Sequence, residues 1–391
     1  MSTTEDPFTP NLHALFRTLK EQTLWRRREV RSSAVAPAVR VGDETLLAFS
    51  SNDYLGLAND PRVVDAFCAG ARRYGVGAGA SHLLGGHTSA HHELEEALAA
   101  FVGTPRALVF STGYMANLAL LTTFSGRHQA VFEDRRNHAS LLDAARLAKA
   151  DRHRYRDVED LRCQLTRASS SGLIVTDGVF SMDGDIAPLG TLHSLAKASG
   201  LGLIVDDAHA FGVVGPKGRG TAAHYGLEFD PGLIHMGTLG KAFGVFGAFV
   251  AASNEIIEAL IQKARTYIYT TALPPAVAVA ACTSLAIAQS EEQRRTDLYA
   301  RVRQFQDGAK ALGLTLLPSS TAIQPVVLGS AKRALEASVH LRQQKLLVSA
   351  VRPPTVPEGS ARLRIALSAL HSHEDVSRLL EGLASLPKDP V

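Results

Sequence analysis

Six short apolar runs, at residues 107–110, 130–132, 173–175, 203–205, 233–236 and 248–250, alternate with stretches of helical spacing. Each run is too short for a buried helix and lacks the polar alternation of a half-exposed strand. They read as strands covered on both faces. Strands and helices in alternation make an α/β fold, with a mainly parallel central sheet flanked by helices. Ligands of such sheets bind beyond the carboxyl ends of the strands, so the residues just after each run form the candidate site. They are Ser111-Thr-Gly-Tyr114, Glu133 and Asp134 with His138 close behind, Thr176 and Asp177, Asp206-Asp-Ala-His209, and Thr238 with Lys241.

The chemistry of that set is specific. Lys241 stands alone among glycines and apolar residues after a buried run. Burial favours the neutral amine, the nucleophile that bonds to an aldehyde. Asp206 ends a strand, where an ionised carboxylate needs a cationic partner. Ser111 to Tyr114 open a helix whose free N–H groups suit a phosphate. His138 brings a flat ring and His209 a hydrogen-bonding one. Phosphate cradle, carboxylate, ring and amine together describe a site for pyridoxal 5'-phosphate (PLP). Singly, each has a plainer reading, as a helix cap or a loop lysine.

Other patterns fail on spacing. The loop 75–86 holds five glycines, but no strand precedes it and it lacks the dinucleotide fingerprint. Ser81 lacks the last glycine of a hydrolase elbow. The glycines between Gly212 and Gly220 lack the lysine and hydroxyl that end a nucleotide loop. His91-His92-Glu93 would need a histidine at 96 for a zinc motif, and Glu96 stands there. No metal site is expected. A formal net charge of +3 is too small to imply nucleic acid. Cys68, Cys163 and Cys282 form no CxxC pair or disulfide framework, which predicts a reducing, cytoplasmic setting. The polar N-terminus and the lack of an 18-residue apolar run argue against secretion and membrane spanning.

At 391 residues, a larger and a smaller domain are expected. Residues 1–50 read as an N-terminal helical segment, with helix from about 8 to 31 and a basic cluster, Trp25-Arg-Arg-Arg28. Residues 51–285 read as a large PLP-binding domain and 286–391 as a small C-terminal α+β domain. A helix is predicted over 91–101, capped by Thr88 or Ser89. Pro325 is placed at the start of a strand. Ser372 and Asp375 have the spacing of a capping box. Arg364, in an alternating segment, reads either as a surface arginine or as a carboxylate clamp.

The motifs SNDYLGL, GAGASHLLGGHT, HASLLDAA, GVFSMDGDIAPL, VDDAHAFGVVG, GTLGKAFG and YTTALPP carry a resemblance along nearly the whole chain. The chain resembles the α-oxoamine synthases, fold-type I PLP enzymes. The segments AIQPVVLG and VRPPTVPEGSARLRIAL narrow the implied activity to a step of biotin biosynthesis. It is a decarboxylative condensation of L-alanine with a pimeloyl thioester, carried on coenzyme A or acyl carrier protein. By resemblance Lys241 bonds to the cofactor and moves the alanine proton. Asp206 pairs with its ring nitrogen, His138 stacks on the ring, and His209 meets its phenolic oxygen. Gly113, Tyr114, Ser181 and Thr238 surround it. Asn52 and Arg364 meet the amino-acid carboxylate, and Arg26 and Thr355 fall near the acyl substrate. A homodimer with shared sites is implied, with Thr270 and Thr271 reaching the neighbour's phosphate. Asp177 stands where relatives also use glutamate. Sister synthases for glycine or serine, and PLP aminotransferases of this fold, share parts of the set.

Overall fold

The computed structural model describes residues 8–22, 24–26, 28–167 and 171–387. Residues 1–7 and Arg27 of the basic cluster lie outside them. All six apolar runs are strands of one seven-stranded sheet. Its order is Arg106–Phe110, Ala248–Ala252, Leu233–Thr238, Gly202–Asp206, Gly172–Asp177, Ala130–Asp134 and Asp151–Tyr155. Ala248–Ala252 runs antiparallel to both its neighbours, and the other four pairings are parallel. The seventh strand, Asp-Arg-His-Arg-Tyr, carries no apolar run. It is an edge strand, where charged side chains face water and discourage further pairing.

Burial on both faces explains the unbroken apolar runs. On one face Val131, Leu173, Val175 and Ile204 pack with Leu120 and Leu121 of the helix Gly113–Phe124 and with Leu141 of the helix Ala139–Leu147. On the other, Phe132, Ile174, Leu203 and Val205 meet Leu189, Leu192 and Ala196 of the helix Leu189–Ala198. Successive side chains along a strand point to opposite faces, so both kinds of position must be apolar. The parallel arrangement brings Asp134, Asp177, Asp206 and Thr238, each the last residue of its strand, to one edge.

Two three-stranded sheets complete the fold. One joins Ala38–Val41, Glu44–Ala48 and Leu346–Leu347; the other has the order Ile323–Gly329, Ala361–Ala366, Ser349–Val351. The expectation of a helical segment over 1–50 is corrected here. Among its described residues only Thr9–Glu21 is helix, and 38–48 is a hairpin that turns at Gly42, φ +58°. Trp25 folds back on Phe16, with ring centroids 5.4 Å apart. A continued helix would hold residues nine apart about 13 Å apart along its axis. Pro325 is the third residue of its strand, not the first. It is tolerated because that strand lies at the sheet's edge.

The helix over 91–101 runs Ser89–Val102 with Thr88 as its cap. Ser372 and Asp375 do form a capping box on the last helix, His373–Ala384. Cys68, Cys163 and Cys282 are free thiols. Among the described residues no helix is long and apolar enough to cross a membrane.

Candidate active site

Lys241 lies in the turn after Leu233–Thr238, the strand beside the one that ends in Asp206. The turn is held open by Thr238, whose Oγ1 donates to the Gly247 carbonyl at 3.0 Å and accepts from Gly240 N at 3.2 Å. Lys241 is half-buried, and its amine makes no hydrogen bond or ion pair among the described residues. Burial pushes its pKa down to about 8. The fields of Asp206 and Asp177 oppose that fall, and Arg364 adds to it. Amine, both carboxylates and guanidinium therefore share one site.

Asp206 is buried, and no cationic side chain among the described residues reaches ion-pair distance of it. Its oxygens accept instead from Asn117 Nδ2 at 2.8 Å and from Ala208 N at 3.0 Å. Among the described residues the carboxylate thus lacks the expected cationic partner. Asn117 also donates to Ser140 Oγ at 2.8 Å, while its own Oδ1 is buried with no partner. Beside Asp206 in register stands Asp177. Burial raises its pKa well above the ordinary carboxylate range, and the Asp206 charge raises it further. The Asp177 carboxylate accepts from His138 N at 2.6 Å, and the Asp177 backbone N–H donates to Asn137 Oδ1 at 3.1 Å.

His138 caps the helix Ala139–Leu147, its Nδ1 lying 2.8 Å from Ser140 Oγ. Burial lowers its pKa, and it feels both Asp206 and Lys241. His209 is buried with Nδ1 2.7 Å from the Tyr54 hydroxyl. Burial pushes its pKa well below the usual histidine range, helped by Lys241 and Arg364. Arg364 is buried, not on the surface. Its Nε donates to the Ser181 carbonyl at 2.7 Å and its Nη2 to Asn52 Oδ1 at 3.2 Å. Gly113 and Tyr114 begin the helix after the first strand, with Thr112 capping Met115 N at 3.2 Å. Tyr114 is exposed, and its hydroxyl donates to Asp143 at 2.5 Å.

Four expected residues stay outside this cluster. Arg26 and Thr355 are exposed. Thr270 and Thr271 follow the helical turn Arg265–Ile268, and no hydrogen bond among the described residues ties either to Lys241 or Asp206. Conversely, Asn117 and Asn137 were not singled out from the sequence. Asn117 had a signal: it is the lone amide in the otherwise apolar Met115-Ala-Asn-Leu-Ala-Leu-Leu121.

A half-buried amine near neutrality, an uncompensated buried carboxylate, an orphaned amide oxygen and a helix N-terminus fit PLP, which presents an aldehyde, a cationic ring nitrogen and a phosphate. With a mainly parallel sheet positioning them, they define a fold-type I PLP enzyme. The model of the family "Aminotransferase class I and II" matches residues 44–383. The 8-amino-7-oxononanoate synthase of Stutzerimonas stutzeri is 56% identical over 93% of this chain and 94% of its own. The crystal structure of that enzyme from Francisella tularensis is 34% identical, with TM-score 0.76 over 87% of this chain and 97% of that one. Serine palmitoyltransferase from S. paucimobilis, bound to a PLP–myriocin aldimine, is 32% identical with TM-score 0.91 over 98% of both chains. The chain belongs to the class I and II aminotransferase family and, within it, to the 8-amino-7-oxononanoate synthases.

Proposed function

We propose that this protein uses PLP to condense L-alanine with a pimeloyl thioester, releasing carbon dioxide and the free thiol carrier and giving 8-amino-7-oxononanoate for biotin. The observation that carries the reading is the amine of Lys241, its pKa lowered by burial to about 8, in the field of the Asp206 carboxylate, which has no cation at ion-pair distance among the described residues. When bound, the cofactor supplies an electron-poor ring that accepts the electron pair left on the amino acid's α-carbon.

The chain's own residues do the rest. Lys241 holds the cofactor covalently and moves the α-proton. Asp206, oriented by Asn117, keeps the ring nitrogen cationic, because a carboxylate favours its charged partner. His209 hydrogen-bonds the phenolic oxygen, and His138 lies against the ring. The N–H groups at Gly113 and Tyr114, with Thr238 and Ser181, hold the phosphate side. Arg364 and Asn52 take the amino-acid carboxylate. Arg26 and Thr355 are assigned to the acyl chain. Thr270 and Thr271 are assigned to the phosphate of a second copy in a homodimer. Residues 51–285 are the cofactor-holding domain, and 286–391 the smaller domain that carries Arg364 to it. Three free cysteines suit a cytoplasmic setting.

The test is product formation from pimeloyl-coenzyme A, or the acyl-carrier-protein thioester, with alanine, glycine or serine. Amino-ketone from alanine alone supports the reading. Turnover with glycine or serine but not alanine would assign a sister synthase, and conversion of PLP to its amine form by an amino acid alone would assign an aminotransferase.

A further inference from the structure

A second cluster of ligating side chains lies where the Gly-rich loop meets the helix Ser89–Val102. His87 comes from the loop, and His92 and Glu95 stand three apart on the helix. One ligand atom from each lies within 4.8 Å of the others. Residues three apart share a helix face, so the helix presents two donors side by side and the loop brings the third over them. The three border a cavity of about 300 Å³, also lined by His82, Arg106 and Tyr267.

Two of the three side chains are held from behind. His87 Nδ1 lies 3.0 Å from His82 Nδ1, leaving Nε2 for a ligand. His82 is itself fixed, its ring stacked on Tyr267 with centroids 4.8 Å apart at 12°. Glu95 Oε1 accepts from Val109 N at 3.0 Å, leaving Oε2 free. Ligating histidines and carboxylates owe their orientation to such outer contacts. The one guanidinium in the cavity, Arg106, is drawn toward Glu258 at 3.2 Å. Two imidazoles and one carboxylate, with open space before them, match the donor set of zinc sites that keep a free position. Zinc–nitrogen bonds of about 2.0 Å place tetrahedral ligand atoms roughly 3.3 Å apart. Closing from the present spacing falls to His92, which is exposed and would turn its Nε2 from Glu96 Oε1, now 3.4 Å away, toward the other two ligands. A motif sought along the helix alone misses this site, because its first ligand comes from the loop.

We propose that His87, His92 and Glu95 bind a divalent cation of the zinc class, which pins the Gly-rich loop to the helix. The loop is also tied to the segment after the helical turn Arg265–Ile268, where Ala272 N donates to Ala80 O at 2.9 Å. This site is independent of the proposed reaction.

The test uses the PLP-loaded enzyme after treatment with a chelator. Cobalt(II) is titrated in while its visible d–d bands are followed, and zinc is then added in competition. We expect one cobalt per chain, displaced by zinc. In His92→Gln and Glu95→Gln the dissociation constant rises tenfold or more, and His82→Leu, which removes only the outer contact, costs about 10- to 100-fold. His128→Gln, an exposed histidine elsewhere, leaves binding unchanged. Melting curves of each metal-free variant check that the fold persists. Absence of a one-to-one end point overturns the proposal, as does an affinity that Glu95→Gln leaves intact.

Discussion

The Tyr54 hydroxyl lies 2.7 Å from Nδ1 of His209, with both side chains buried. The same hydroxyl is 3.2 Å from Asn52 Oδ1, which already accepts from Arg364. Burial raises the tyrosine pKa and lowers that of the histidine, so the phenol keeps its proton and the imidazole stays neutral. The hydroxyl has one proton and Asn52 Oδ1 can only accept; when that proton turns from Asn52 to Nδ1, the ring proton sits on Nε2. That is the tautomer able to donate to an oxygen of the cofactor. Tyr54→Phe should therefore lower kcat roughly tenfold, the worth of one buried hydrogen bond at about 1–1.5 kcal/mol. KM for alanine should hold, and the acid limb of the pH profile should move as His209 loses its fixed tautomer. Steady-state rates across pH check this; an unchanged kcat and profile would leave Tyr54 a packing residue.

Lys241 sets a second expectation. An amine attacks an aldehyde only when unprotonated. With its pKa lowered from 10.5 to about 8, about a tenth of the side chain is neutral at pH 7, against roughly one part in three thousand for an ordinary lysine. Reconstitution of cofactor-free protein with PLP should thus speed up as pH rises and reach half its plateau near pH 8. A midpoint above pH 10 would contradict the burial argument. Lys241→Ala should leave no cofactor fixed to the chain after borohydride treatment, as read by mass.

Asp206 has an uncommon position for a carboxylate: buried, beside Asp177, with two N–H donors and no cation in ion-pair reach among the described residues. Asn at this position keeps the shape and loses the charge. Asp206→Asn should fold normally by circular dichroism yet bind PLP about 10- to 100-fold more weakly, since hydrogen bonds to charged groups contribute about 1.5–3 kcal/mol. Asn117→Ala should weaken binding less, because Ala208 N still holds the carboxylate. Equal PLP affinity in Asp206→Asn and the parent, measured by equilibrium titration, would remove Asp206 from the ring-nitrogen role.

The strands were readable because burial on both faces leaves an unbroken apolar mark, and their ends named Asp177, Asp206, Thr238 and Lys241 directly. Asp151–Tyr155 left no such mark, being an edge strand rich in charge. The hairpin over 38–48 hid behind a helical expectation because its turn is only Gly42-Asp43 and one of its outer partners, Leu346–Leu347, is some three hundred residues away. The His209–Tyr54 contact spans 155 positions. No periodicity reports such a pairing; only the folded sheet brings the two together. Arg364 shows the same limit. Its alternating segment announces a strand, but nothing local tells whether that strand is covered.

That cover supplies the last prediction. Arg364 is buried, yet no carboxylate among the described residues reaches ion-pair distance, and its two hydrogen bonds go to neutral oxygens. A guanidinium keeps its charge in proteins, and an unpaired buried charge costs stability. Such a residue persists where an anion completes it, and the proposed function assigns that place to the carboxylate of alanine. Arg364→Lys keeps the charge but loses the planar fork that grips a carboxylate with two parallel bonds. KM for alanine should rise about 10- to 100-fold, matching roughly 1.5–3 kcal/mol for a charge-assisted bond, while kcat falls less. Arg364→Met should abolish alanine binding and leave the substrate-free enzyme as stable as the parent, or more so, because the uncompensated charge is gone. Urea unfolding without alanine, paired with alanine titration, separates the two effects. A destabilised Arg364→Met that still binds alanine would make this arginine a structural tie between Ser181 and Asn52 rather than the substrate's anchor.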